Sequence, residues 1–205
     1  MEIIDRYFPE LTRNQRKQYL QLSQIYNEWN RKVNVISRKD IEHLYLKHIL
    51  HSMAIGRYVR FRDDAKILDV GTGGGFPGIP LAILFPQTEF LLVDSIRKKI
   101  RVVDSVIDAL ELSNCRALPV RAEQVTGQFD FIVSRAVTSL PVFIKWVDHL
   151  ILREGHHPVP NGILALKGGQ LGQELNIPQR IKLIDLTEYF NEPFFETKKL
   201  VHVEC

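Results

Sequence analysis

A glycine-rich segment between two predicted elements carries the clearest chemical signal in the chain. Leu68–Gly78 reads Leu-Asp-Val-Gly-Thr-Gly-Gly-Gly-Phe-Pro-Gly, directly after an apolar strand pattern and directly before a helical one. Such a turn lets the main chain approach a ligand closely and aims the amides of a helix N-terminus at it. Asp94 ends the next strand pattern, 23 residues after Gly71, where a carboxylate can accept hydrogen bonds from both hydroxyls of a ribose. Gly71, Gly73 and Asp94 therefore predict a site for an adenosine-containing ligand.

The details of this loop indicate which adenosine ligand fits. A phosphate-binding Walker loop is excluded because no Gly-Lys-Ser or Gly-Lys-Thr follows. A dinucleotide fingerprint can be written only from Gly73, three residues beyond Val70, whereas its first glycine should turn directly off the strand. Counted from Gly71, the third glycine of that fingerprint falls on Phe76. The carboxylate of Asp69 would sit badly beside a pyrophosphate but suits an amino group. S-adenosylmethionine carries ribose, adenine and an α-amino group without phosphate, so the loop predicts this methyl donor.

Two further segments follow predicted strands and fit the same ligand. Ala122 and Glu123 come after the third strand, where an acidic side chain and the backbone can read the edge of adenine. Arg135 comes at the end of the fourth strand. Because the carboxyl ends of parallel strands meet at one edge of a sheet, we expect these residues to share a crevice with Gly71 and Asp94.

The elements that must position these residues alternate regularly from residue 65 onward. Residues 181–189 and 199–203 form two further strand patterns with no helix between them, which predicts an antiparallel pair. The order predicts an α/β fold of the class I S-adenosylmethionine-dependent methyltransferases, Rossmann-like, with a mostly parallel seven-stranded sheet and an antiparallel C-terminal strand. The earlier predicted strands cover 66–70, 89–94, 115–120, 129–134 and 162–167, and the predicted helices between them cover 79–85, 96–111 and 139–152.

The first third of the chain differs in pattern and in charge. Apolar residues at helical spacing predict one helix over 11–29 and a second from Ile41, capped by Ser37 or Asp40. Residues 1–62 hold 12 Lys and Arg against 6 Asp and Glu, a balance of +6, within a total net charge of +3. We therefore expect a basic helical N-terminal segment, residues 1–62, packed on a core of residues 63–205, the two forming one structural domain. A basic segment beside a slightly acidic remainder is typical of proteins that meet a polyanion.

Composition excludes several classes of protein. The chain has 205 residues, of which 45% are apolar and 25% charged, as in an average globular domain. Two cysteines, Cys115 and Cys205, cannot supply a disulfide framework or a four-ligand zinc site, and we expect no metal. The N-terminus lacks the pattern of a signal peptide, and no apolar run is long enough to span a membrane. We expect a soluble, cytoplasmic monomer that does not bind membranes.

Several blocks of the sequence resemble the RsmG (GidB) family of bacterial methyltransferases, which modify N7 of a guanine in 16S ribosomal RNA of the small subunit. The resemblance runs in order from about Trp29 to the C-terminus. It implies that Gly71, Phe76, Ala122–Glu123 and Arg135 contact the methyl donor. The blocks that carry it are Asp69–Ile83, Leu92–Ser95, Arg121–Glu123, Ser134–Ala136 and Leu164–Gly168.

The N-terminal segment also resembles a motif of this family, with two departures. Asn30 and Asn34 match, as does the histidine of an Arg-His pair that precedes Asp-Ser in the family. In this chain Lys47 precedes His48 in place of the arginine, and His51 stands in place of the aspartate. Lysine keeps the positive charge but loses the two-pronged geometry of a guanidinium.

The chemistry of this modification explains why no catalytic acid–base pair is evident. Guanine N7 carries a free lone pair and no proton, so direct in-line transfer without a covalent enzyme intermediate needs only positioning, which can supply roughly 7–11 kcal/mol of the barrier. Arg135 and Lys167, at strand ends, are the positioning candidates. The sequence lacks the Asn/Asp-Pro-Pro-Tyr/Phe motif typical of amine methylation and the Pro-Cys nucleophile of pyrimidine-carbon methylation.

The basic side chains near the predicted crevice are candidates for contact with RNA. Two readings remain open beside an RNA methyltransferase: a methyltransferase of this fold that acts on a protein or a small molecule, and a non-catalytic nucleotide-binding or RNA-binding module. The predicted RNA contacts are Lys32, Arg38, Lys47, Lys98, Lys99 and Lys167, with a contribution from Arg135.

Overall fold

The computed structural model describes residues 1–37 and 39–205. Within these residues seven strands form one sheet in the order β3-β2-β1-β4-β5-β7-β6. All neighbouring pairs are parallel except β5–β7 and β7–β6, so β7 alone runs antiparallel to its neighbours. The predicted class I topology and its antiparallel C-terminal strand are confirmed. The strands are β1 Lys66–Val70, β2 Glu89–Val93, β3 Cys115–Leu118, β4 Phe131–Arg135, β5 Gly162–Gly168, β6 Arg180–Asp185 and β7 Lys198–Glu204.

Alternate residues along each central strand pack into different hydrophobic clusters, because successive side chains of a strand point to opposite faces. Ile67 belongs to the cluster shared with the N-terminal helices, α4 and α5, whereas Leu68 and Val70 belong to the cluster shared with α6. Both faces of the sheet are therefore covered, as a parallel sheet requires. The helices are α1 Glu2–Tyr7, α2 Arg13–Asn30, α3 His51–Tyr58, α4 Gly78–Leu84, α5 Arg97–Ala109 and α6 Leu140–Val147.

Helix α2 begins where the sequence predicts and fastens the N-terminal segment to the core. Thr12 and Gln15 form a reciprocal capping box at its start. The buried Tyr26 donates its hydroxyl to the carbonyl of Gly74 at 2.6 Å, and the equally buried Tyr19 donates to the carbonyl of Pro80 at 2.8 Å. The N-terminal segment thus holds the glycine loop directly.

The second predicted N-terminal helix is an irregular element. Residues 41–58 pass from a 3-10 turn at Ile41–His43 through a π-helical stretch at Leu44–Leu50 into α3. Asp40 precedes the first turn, and its backbone N–H bonds to Ser37 at 3.2 Å. Single π-helical turns concentrate at functional sites because they re-aim side chains and free carbonyl groups. Lys47 and His48 lie in this stretch.

Other differences from the predicted elements are small and local. The short helix α1 has too few residues to show helical periodicity, and it is missing from the sequence-based prediction. The third predicted strand ends at Leu118, and the fourth begins at Phe131 and extends to Arg135. The predicted strand over 181–189 turns into a 3-10 helix after Asp185. Among residues 1–37 and 39–205, no helix combines the length and apolar character needed to cross a membrane.

Candidate active site

The glycine loop leaves β1 with a conformation that only glycine adopts readily. Gly71 has φ +71° and Gly73 has φ +59°. The N–H of Gly71 donates to the carbonyl of Val93 at 2.9 Å, so the loop begins hydrogen-bonded to the end of β2. A Cβ added to Gly71 would lie 2.7 Å from a methyl carbon of Val137, which crosses over it. The loop therefore presents bare main chain at the carboxyl edge of the sheet.

Asp94 follows β2 and closes this loop from the other side. Its Oδ2 accepts from the N–H of Gly73 at 3.0 Å and lies 3.4 Å from Nζ of Lys99. Its Oδ1 accepts from the N–H of Ile96 at 2.9 Å. Each carboxylate oxygen has two lone-pair sites, so Oδ1 keeps one for a ligand hydroxyl, and a second hydroxyl can replace the long contact of Lys99 at Oδ2.

A cavity of about 340 Å³ opens in front of Asp94. The predicted donor contacts Gly71, Asp94, Ala122 and Glu123 all line it. Gly73 does not line this cavity, but its N–H bonds to Asp94. The remaining lining residues are Val70, Val93, Ser95, Ile96, Lys99, Val120, Arg121, Ala136, Val137 and Trp146.

Three apolar residues of this cavity were not identified from the sequence. Ile96 keeps 47% of its surface exposed, and Val120 and Trp146 line the same cavity. An apolar wall beside the polar Asp94 suits a purine attached to a ribose. An isoleucine two residues after Asp94 is the sequence signal that could have revealed this wall. Trp146 reaches the cavity from α6, and only tertiary packing shows it.

Asp69 organises the loop from beneath. Its Oδ2 accepts from the hydroxyl of Thr72 at 2.6 Å and from the N–H of Gly78 at 2.8 Å. Its Oδ1 is buried and has no hydrogen-bond partner among the residues that the structure describes. Burial raises the pKa of Asp69 to about 7, against the lowering effect of the bonds from Thr72 and Gly78. Asp69 is fully buried and lines neither the cavity in front of Asp94 nor the second cavity described below, so a contact of its carboxylate with an amino group of the ligand stays a prediction.

Phe76 and Arg135 lie outside the cavity that holds Asp94. The ring of Phe76 is buried, with its centroid 5.0 Å from that of Tyr26 and 5.1 Å from that of His48. The guanidinium carbon of Arg135 lies 5.1 Å from the centroid of Phe76. Phe76 thus supports the wall behind the loop, and a contact of these two residues with the methyl donor stays a prediction.

Arg135 lines a second cavity of about 610 Å³, formed by the ends of β4 and β5 and by the π-helical stretch. Its Nη1 donates to the carbonyl of Lys47 at 3.1 Å, and its Nη2 lies 2.8 Å from Nδ1 of His48. Burial lowers the pKa of Arg135 to about 10, so the guanidinium stays charged at neutral pH. The cavity is lined by Asp40, Lys47, His48, His51, Arg135, Ala136, Leu166, Lys167, Gly168, Phe194 and Lys198.

Among the residues that the structure describes, Ala136 alone lines both cavities. Its φ of +53° is unusual for a residue with a Cβ. The segment that carries it lies between the Asp94 side and the Arg135 side of the sheet edge. The two cavities are therefore neighbours on either side of the segment that carries Ala136.

Lys167 is committed to other protein groups. Its Nζ donates to the carbonyl of Thr138 at 2.6 Å and to Oε2 of Glu174 at 2.9 Å. The same Glu174 oxygen accepts from the N–H of Leu140 at the start of α6. The bond from Lys167 lowers the pKa of Glu174. Lys167 thus holds the segment that carries Ala136 in place. Its amine is mostly buried and ion-paired, and a contact of Lys167 with RNA stays a prediction.

The other predicted RNA contacts differ in solvent exposure and in whether their charge is paired with a carboxylate. Lys47 forms an ion pair with Asp40 at 2.7 Å. Lys32 is exposed, with Nζ 5.2 Å from the ring of Trp29. Lys98 is exposed on α5, while Lys99 points to the carboxylate of Asp94. Arg38 lies outside the described residues.

Comparison with known proteins assigns the chain to a family. A family model described as GidB, rRNA small subunit methyltransferase G, matches residues 14–200. The chain belongs to this family. It is 56% identical over 203 residues to a protein of Flavobacterium johnsoniae named ribosomal RNA small subunit methyltransferase G, covering 99% of this chain and 97% of that protein. A protein of Bacteroides thetaiotaomicron with the same name is 52% identical, covering 98% of each.

Solved structures of low sequence identity share the fold of this family member. A methyltransferase from Aquifex aeolicus, described as SAM dependent, superposes with a TM-score of 0.57 at 13% identity, covering 83% of this chain and all of that one. A precorrin-6y C5,15-methyltransferase from Geobacter metallireducens gives a TM-score of 0.57 at 12% identity, covering 76% of this chain and 87% of that one. These likenesses confirm the class I methyltransferase fold.

Proposed function

We propose that this family member transfers a methyl group from S-adenosylmethionine to N7 of a guanine in 16S ribosomal RNA of the small subunit, in the cytoplasm. The observation that supports the proposal is a pair of neighbouring cavities that share Ala136 in their linings, one suited to a nucleoside and the other lined by cations and aromatic rings. Its near-full-length relatives bear the name of a small-subunit ribosomal RNA methyltransferase.

The residues of the first cavity would hold the methyl donor. Asp94 accepts hydrogen bonds from the ribose hydroxyls, and the loop from Gly71 to Gly73 lets the main chain approach. Ala122 and Glu123 face the adenine together with the apolar wall at Ile96. When bound, S-adenosylmethionine supplies a sulfonium methyl group, and the N7 lone pair forms the new bond as the carbon–sulfur bond breaks.

The second cavity would hold the target base. His48, His51 and Phe194 offer ring faces and edges against which a purine can stack, and Lys198 adds positive charge near the wall formed by Arg135. Base–aromatic stacking contributes roughly 1–3 kcal/mol per base in proteins that bind single strands. Burial lowers the pKa of His48 to about 3, so this ring adds no charge that would repel the sulfonium or the product cation at neutral pH.

No protein group has to accept a proton in this reaction, because N7 is unprotonated. The protein's contribution is to align N7, the methyl carbon and the sulfur across Ala136, and near-attack placement of this kind can lower the barrier by roughly 7–11 kcal/mol. Lys167 and Glu174 contribute by fixing the segment that carries Ala136. Arg135 contributes by fixing the π-helical stretch against the end of β4.

The experiment that tests this proposal uses RNA from cells that lack the protein. Purified chain and methyl-labelled S-adenosylmethionine are incubated with that RNA or with small ribosomal subunits, and the digested nucleosides are separated. Label in 7-methylguanosine, strongly reduced with the Asp94→Asn variant at a limiting concentration of S-adenosylmethionine, is the expected result. Label in another nucleoside contradicts the assignment of N7, and label only in a protein or small-molecule fraction contradicts RNA as the substrate.

A further inference from the structure

His48 is held in a single protonation state by its neighbour. Its Nδ1 lies 2.8 Å from Nη2 of Arg135, and a guanidinium can donate hydrogen bonds but has no lone pair with which to accept one. Nδ1 must therefore be unprotonated. Since burial and the nearby guanidinium keep the ring neutral, its one proton resides on Nε2.

The Nε2–H of this tautomer is available to a ligand. His48 lines the second cavity and keeps part of its surface exposed. Within residues 1–37 and 39–205, Nε2 has no hydrogen-bond partner, and it is not among the buried polar atoms that lack one. Three of the cations that line this cavity are engaged by protein groups: Lys47 by Asp40, Lys167 by Glu174, and Arg135 by His48 and the carbonyl of Lys47. The fourth, Lys198, lies with Nζ 4.9 Å from the centroid of the Phe194 ring. His48 thus places a neutral donor at the wall of the cavity.

The edge of guanine that carries N7 has one other hydrogen-bond acceptor, O6. Guanine presents N7 and O6 as acceptors, whereas adenine presents N7 and an amino group that donates. N7 must face the methyl carbon, so O6 is the acceptor left for the protein. A donor placed at O6 therefore favours guanine over adenine, whose amino group at that position is itself a donor. Because the histidine is neutral, it adds no positive charge beside a base that becomes cationic.

We propose that Nε2–H of His48 donates a hydrogen bond to O6 of the target guanine, with Arg135 as the positioning residue that fixes the tautomer. This inference rests on the proposed function and names the residue that selects guanine. His48 is then a specificity residue in direct contact with the substrate.

The test compares two RNAs and three enzymes. One RNA carries guanine at the modified position and the other carries 2-aminopurine, which lacks O6; the position is first located by mapping 7-methylguanosine. Dissociation constants are measured in the presence of S-adenosylhomocysteine, so that no reaction rate enters. His48→Asn keeps an acceptor for Arg135 near the place of Nδ1 but has no donor at the place of Nε2. His48→Gln places an amide donor near Nε2 again.

Wild-type enzyme and His48→Gln should prefer the guanine RNA, and His48→Asn should lose about tenfold of that preference, as expected for one hydrogen bond in a buried site. An equal preference in wild-type enzyme and His48→Asn, within a factor of two, overturns the inference. His48→Ala replaces His48→Asn in the same comparison if the latter fails to bind S-adenosylhomocysteine. Loss of 7-methylguanosine formation by wild-type enzyme would instead contradict the proposed function, so the two failures are distinguishable.

Discussion

Replacing Gly71 and Gly169 by alanine, one at a time, separates two requirements of the glycine loop: a left-handed backbone and space free of other atoms. Gly71 needs a left-handed backbone, φ +71°, and it needs empty space, since a Cβ would lie 2.7 Å from a methyl carbon of Val137. Gly169 has nearly the same backbone, φ +75°, with nothing within 4 Å of its Cβ position. Gly169→Ala is therefore a control for the backbone effect alone.

The expected magnitudes follow from these two geometries. An alanine in the left-handed region costs about 1–2 kcal/mol, so Gly169→Ala should lower the free energy of unfolding by that amount. Gly71→Ala should lose roughly 1–3 kcal/mol more, because 2.7 Å lies far inside the 3.5–4.0 Å contact distance of two carbons. In a Val137→Ala background the additional loss should disappear while the backbone cost remains.

Urea unfolding measures the stabilities, and calorimetric titration with S-adenosylhomocysteine measures binding. Gly71→Ala should weaken binding at least tenfold, because the added methyl shifts the main chain that lines the cavity, whereas Gly169→Ala should bind as wild type does. Equal stability and equal affinity of the two variants would refute the argument that close packing over Gly71 shapes this site.

Three further predictions concern the charged residues. Asp94→Asn should weaken S-adenosylhomocysteine binding by about 1.5–3 kcal/mol, measured by calorimetry, because it removes a charged acceptor, while the same change at the exposed Asp108 should have no effect. Burial raises the pKa of Asp69 from 3.8 to about 7, so ionising it opposes folding: its contribution to stability should fall as the pH rises from 4 toward 7, by roughly 1.4 kcal/mol for each pH unit, and level off above that. Urea titrations across this range should show that Asp69→Asn removes this loss, and an unchanged pH dependence in the variant contradicts it. Lys98→Ala should reduce the slope of log K against log salt for RNA binding by about one, whereas Lys66→Ala, at the amino end of β1, should leave it unchanged.

The sequence predicts which residues meet at the cavity in front of Asp94, because that cavity is built from strand ends. Gly71, Asp94, Ala122 and Glu123 each follow a strand in the chain, and strand order alone brings strand ends together at one edge of the sheet. The structure places all four around one cavity. Periodicity, glycine positions and charge suffice for this much of the fold.

The second cavity could not be predicted in the same way. It depends on the π-helical stretch at Leu44–Leu50, which turns the carbonyl of Lys47 and the ring of His48 toward Arg135. Sequence reasoning assigns Arg135 to the methyl donor and does not pair it with His48, because spacing does not reveal a contact between residues 87 positions apart. The ion pair between Lys167 and Glu174 likewise depends on the loop between them, which shows no periodic pattern of apolar residues in the sequence.

Helix α1 and the packing of Phe76 were not predicted from the sequence, because both depend on contacts between distant segments. Helix α1 is held by contacts to a distant segment, including the hydroxyl of Tyr7, which accepts from the N–H of Asn191 at 2.9 Å. Phe76 lies in the glycine loop, yet its ring packs against Tyr26 from α2. In both cases contacts between segments far apart in the chain determine the local structure.

A structure of the protein with bound S-adenosylhomocysteine tests the two-cavity account most directly. The account predicts the ribose hydroxyls within hydrogen-bond distance of the Asp94 carboxylate and the sulfur directed toward Ala136, with the space beside His48 and Arg135 left for a base. Binding of the nucleoside beside His48 and Arg135, with no contact to Asp94, would contradict it.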